Sequence, residues 1–105
     1  MTTRYVNVGA VRVFDHVAPD KAQALKPLEE AAEVFGAWQL MEGIEDTGVR
    51  EKRRLLLLDE CADVIQVTLN LVAALGCNDM RLAMTRCEDR NRESGRFGKD
   101  DRDGH

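Results

Sequence analysis

Two acidic stretches carry residue types and spacings suited to chemistry: "EEAAE" at 29–33 and "DECAD" at 59–63. Glu30 and Glu33 are three positions apart, as are Glu60 and Asp63, so each pair occupies neighbouring places on one helical face. Clustered oxygen ligands without histidine or cysteine suit a hard cation, Mg²⁺ or Mn²⁺, better than zinc. Brought together, the four acids demand a counter-charge, because two carboxylates ~5 Å apart repel by roughly 3 kcal/mol at an effective dielectric near 20. A metal held by carboxylates with open positions binds phosphate oxygens and activates water. An isolated ExxE on a helix is ordinarily a solvated face. The conjunction favours a site because the second pair is embedded in an otherwise apolar helix.

The elements that must position these acids are helices. From about Asp20 to Met41, Leu25, Leu28, Ala32, Val34 and Phe35 recur at three- and four-residue steps. Pro27 implies either a kink or a new helix with Pro27 in its first turn. Residues 42–51, with two glycines and mixed charges, read as a loop. A second helix is predicted from about Lys52 to Leu75, closed by Gly76. On it Asp59, Asp63, Gln66 and Asn70 fall within a strip roughly 60° wide, with Glu60 beside it. So narrow a polar stripe predicts a helix buried on most sides, its stripe lining a polar cleft. On the first helix Lys26, Glu29 and Glu33 form a matching strip, with Glu30 at its edge, and antiparallel pairing sets the two strips face to face. Asn78 is the expected cap of a third helix running to about Glu93, with Asp79 favourable near its positive end. "RYVNVGAVRVF" at 4–14 reads as a short extended arm or edge strand around Gly9. The predicted class is all-α, with an N-terminal arm at 1–19, a helical domain at 20–97 and a mobile polar tail at 98–105.

Composition narrows the function. A chain of 105 residues, 44% hydrophobic, suggests one small globular domain. Fifteen basic against 19 acidic residues, a net charge of −4, argue against binding a nucleic-acid polymer but not against a nucleotide substrate. Cys61, Cys77 and Cys87 are odd in number, form no CxxC pair and lie among apolar residues, so they read as reduced and structural. No signal-peptide pattern is seen, and Leu55 to Gly76 is interrupted by Asp59, Glu60, Asp63, Gln66 and Asn70, so no membrane span is expected. A cytoplasmic location follows as an expectation. Three short helices cannot cover the hydrophobic circumference of the second, which predicts a helical bundle completed by oligomerisation, as a homodimer or homotetramer.

With its ExxE and ExxD pairs, the sequence resembles the MazG-like, all-α nucleoside triphosphate pyrophosphohydrolases, over roughly residues 20–97. Glu30 and Glu33 match the first pair of that signature, Glu60 and Asp63 the second, and the separation between pairs fits. "RCEDRNRESGRF" at 86–97 resembles the family's basic third-helix ending, in which Arg90 and Asn91 take the places that approach the phosphates. Ser94 stands where many relatives carry another basic residue. The resemblance implies a Mg²⁺-dependent enzyme of nucleotide metabolism that hydrolyses a (d)NTP to the (d)NMP and pyrophosphate. Glu30, Glu33, Glu60 and Asp63 would hold metal, Glu33 would take the water's proton, and Arg90 and Asn91 would bind phosphate oxygens. Two alternatives stay open: a phosphoribosyl-ATP pyrophosphohydrolase, and a non-catalytic helical dimerisation or regulatory module. Asp59 and Glu29 read as outer or surface acids, Trp38 as core or interface more than base-stacking, and His16 and His105 as non-ligands.

Overall fold

The computed structural model describes residues 3–98. It contains three helices, α1 (Lys21–Met41), α2 (Thr47–Ala74) and α3 (Arg81–Glu93), and no strand among the described residues, so the all-α class stands. Residues 4–14 form no regular element in the single chain. Positions 99–105 of the predicted tail lie outside the described residues. Among the described residues no helix is long and apolar enough to cross a membrane.

Local hydrogen bonding explains where the helices begin. Asp20 caps α1, its carboxylate accepting the Gln23 N–H at 2.8 Å. The helix runs through Pro27 without interruption, so no new helix starts there. Proline's missing N–H costs one bond, to the carbonyl four residues back, and the flanking turns persist.

The second helix starts at Thr47, well before Lys52. Asp46 accepts the Val49 N–H at 2.9 Å, turning "TGVRE" from the expected loop into a first turn despite Gly48. The connection shrinks to residues 42–46, so α1 and α2 pack as an antiparallel hairpin. At the far end of α2, Gly76 adopts φ 83°, the left-handed geometry expected of its closing position.

The third helix corrects another expectation. Met80, not Asn78, occupies its cap position and supplies no side-chain bond. Asp79 binds the Arg81 N–H at 3.0 Å and its guanidinium at 2.6 Å instead, contacts that hold the Asp79 carboxyl down at about 2.

The described chain divides into two units: residues 11–76, and residues 3–10 with 77–98. In the first, segment 11–20 is tied to α2. Gln66 Nε2 donates to the Arg12 carbonyl at 2.9 Å and to Asn70 Oδ1 at 3.0 Å, and Asn70 Oδ1 also accepts the Phe14 N–H at 3.2 Å. Only Met41, Val67 and Asn70 are buried among the described residues, and of these Asn70 alone fully. The single chain therefore does not bury α2 on most sides: Leu55, Leu56 and Leu58 are half-exposed. In the second unit, Arg92 pairs with Glu88 and Asp89 and lies 6.0 Å from the Phe97 ring centroid. All three cysteines are unpaired; Cys61 and Cys87 are half-buried, whereas Cys77 is exposed rather than in apolar surroundings.

Asp46→Ala is expected to lower stability by about 1 kcal/mol in chemical denaturation and to speed amide exchange in the first turn of α2. Asn78→Ala, which removes no cap, should stay within about 0.5 kcal/mol of the parent.

Candidate functional site

Antiparallel pairing of α1 and α2 brings the two acidic motifs together. One carboxylate oxygen from each of Glu30, Glu60 and Asp63 lies within 4.8 Å of the others. Glu33 is close enough for carboxyl–carboxyl hydrogen bonding with both Glu30 and Glu60. All four acids singled out from the sequence thus converge, because the three-residue step sets each pair on one face and the short connection sets the faces opposite. Asp59 and Glu29 are exposed and stand outside the three-carboxylate group. Glu29 pairs instead with Lys26, Oε2 to Nζ at 3.3 Å.

The grouping shows in proton affinity. Burial, followed by the charges of Glu33 and Asp63, raises the Glu30 pKa, with Lys26 opposing weakly. Glu60 is also raised, first by burial, then by its hydrogen bond with Glu33 and by the surrounding carboxylates. Its Oε2 is buried without a hydrogen-bond partner among the described residues. Such an acceptor is costly to leave unmet. An all-oxygen donor set with an orphaned carboxylate oxygen fits a hard divalent cation and fits zinc poorly.

A cleft of about 730 Å³ adjoins the acids within the same unit. Glu30 and Asp63 line it, with Lys26, Gln66, Asn70 and His16. From Asp63 to Asn70 the cleft wall extends roughly 10 Å along α2 at the helical rise. The volume lies in the range of small-molecule sites, about 300–1,000 Å³. His16 is a wall residue that sequence reading set aside: it shares no motif with α2, and only the docking of segment 11–20 delivers it to the cleft.

The predicted phosphate-binding residues lie on α3, in the other unit. Arg90 is exposed; its carbonyl accepts the Ser94 hydroxyl at 3.0 Å, and its guanidinium makes no hydrogen bond or ion pair with a described residue. Asn91 is half-buried and donates to Cys87 Sγ at 3.5 Å.

Comparison of the chain with protein-family models, curated proteins and solved structures returned no match.

The raised carboxyls have a consequence for metal-free stability. Between their ordinary value of 4.5 and their raised values, the folded chain holds more protons than the unfolded one, so stability falls as pH rises through that window. Glu60→Gln is therefore expected to melt above the parent in chelator at about pH 7, the gain shrinking as pH falls toward 4.5. A lower melting temperature at every pH would mean that favourable contacts hold the Glu60 carboxylate.

Proposed function

We propose that the chain is a Mg²⁺-dependent nucleoside triphosphate pyrophosphohydrolase of the MazG-like, all-α kind. The observation that carries this reading is the convergence of Glu30, Glu33, Glu60 and Asp63 beside a cleft of nucleotide size. Glu30, Glu60 and Asp63 would hold the cation, with Glu33 beside them, and the unpartnered Glu60 oxygen would be satisfied there. When bound, Mg²⁺ offsets the charge of the triphosphate and lowers the pKa of water.

Glu33 contacts both Glu30 and Glu60 and serves as the general base. It takes a proton from the water that attacks the α phosphorus. The bond from that phosphorus to the α,β-bridging oxygen breaks, and pyrophosphate leaves with the oxygen. Arg90 and Asn91, on α3, are assigned the binding of phosphate oxygens by the resemblance. The choice of the α phosphorus, and the roles of Arg90 and Asn91, rest on the family resemblance.

The active species is proposed to be at least a homodimer. Leu28, Phe35 and Trp38 share one face of α1, and Leu55, Leu58 and Ile65 one face of α2, yet all are substantially exposed. Gly36 supports the same view. It gives up about 1 kcal/mol of helix propensity relative to alanine, although a methyl group there would meet nothing within 4 Å in the single chain. An approaching second copy accounts for both features.

Product analysis with Mg²⁺ and a panel of ribo- and deoxyribonucleoside triphosphates tests the reaction. Monophosphate and pyrophosphate are expected, with kcat falling roughly a hundredfold or more in Glu33→Gln and Asp63→Asn. Turnover of phosphoribosyl-ATP alone would select the first alternative. No turnover and no Mg²⁺-dependent rise in melting temperature would select a non-catalytic module. Light scattering should give at least twice the chain mass of 11.8 kDa; a monomer would remove the assembly proposal.

A further inference from the structure

The hydrogen bonds that tie segment 11–20 to α2 leave two polar groups over. The Phe14 N–H can only donate, so Asn70 must turn its oxygen toward it, as observed at 3.2 Å. The same Asn70 Oδ1 receives Gln66 Nε2, whose second bond goes to the Arg12 carbonyl. Both Gln66 donors are thereby used. Gln66 Oε1 and Asn70 Nδ2 have no hydrogen-bond partner among the described residues. Neither amide can rotate without giving up these bonds, so the acceptor and the donor are fixed in kind.

Both residues line the 730 Å³ cleft that also contains Glu30 and Asp63. Asn70 is only 1% exposed, the most deeply buried of the described residues, so its spare amide donor has little access to bulk water. Among the described residues only Glu60 Oε2 is sealed from solvent without a partner, so the spare groups of Gln66 and Asn70 open onto the cleft, where a ligand can meet them. Phosphate oxygens only accept and would leave Gln66 Oε1 facing another acceptor. A nucleobase edge instead presents donors and acceptors side by side in one plane, the pattern that paired amides read. Asp63 and Asn70 stand seven positions apart on α2, roughly 10 Å at the helical rise. That is about the reach from the phosphates to the base of one nucleotide. Phe14 also lines the same cleft.

We infer that Gln66 and Asn70, held by Arg12 and Phe14, form a subsite that binds the hydrogen-bonding edge of a nucleobase. This deepens, and rests on, the reading of the acidic group as the triphosphate end of the same cleft. Segment 11–20 then acts as the selectivity wall of the pocket, and α2 carries both ends of the ligand.

The test uses the full ¹⁵N-labelled chain without Mg²⁺, following the side-chain amide resonances of Gln66 and Asn70. The probes are the four deoxynucleoside monophosphates, with ribose 5-phosphate as the base-free control. At least one nucleotide should shift both amides saturably while ribose 5-phosphate leaves them in place. Asn70→Asp, which keeps the oxygen facing Phe14 but replaces the donor, should lose roughly tenfold in affinity for the preferred base relative to the others. Amides unmoved by all four nucleotides, or moved equally by ribose 5-phosphate, would overturn the inference. Base-dependent shifts in a chain that releases no pyrophosphate would keep the subsite and remove the hydrolase reading. Pyrophosphate release with unmoved amides would do the reverse.

Discussion

Four carboxyl groups held against one another across an antiparallel helix pair impose the constraint around which this molecule is arranged. Burial first, and then their mutual repulsion, raise the proton affinities of Glu30 and Glu60 in a chain that cannot move them apart. The hairpin must therefore be held by features at its margins. Asp20 and Asp46 fix the starts of the two helices, and the link at 42–46 gives their register little slack. Little packing helps, since Met41 and Val67 are the only buried apolar residues among those described. Burial and mutual repulsion both act against the charged acids where they meet.

The polar stripe of α2 divides its labour along its length. Glu60 and Asp63 face the acids of α1, while Gln66 and Asn70, one and two turns further on, secure the segment that precedes α1. One helix thus sets both the charged end and the uncharged end of the cleft. Because a helix is stiff, the separation of these ends is set by residue count rather than by loop conformation.

The acids were legible in the sequence because helical periodicity converts a three-residue spacing into a shared face, and a short link turns two faces toward each other. Other features were hidden by local competition. "TGVRE" carries a glycine and mixed charges, as a loop does, and a single Asp46 cap bond outweighs that composition. At α3, Asn78 is the better capping residue by type, yet Asp79 is engaged by Arg81 and the helix starts beyond both. The docking of segment 11–20 left no pattern to read, because it joins residues more than fifty positions apart. Only its other half, the amides in the stripe of α2, was visible, and composition alone does not separate a cleft lining from an anchor.

The two sides of that anchor differ in kind. On α2 it consists of side chains, Gln66 and Asn70, but on the segment it consists of main-chain atoms, the Arg12 carbonyl and the Phe14 N–H. Any residue at 12, and any but proline at 14, supplies the same two atoms. The attachment is thus indifferent to the side chains it carries into position. Inherited changes at Phe14 can accumulate without unfastening the segment, so that part of the cleft's lining is free to diversify while its scaffold stays the same.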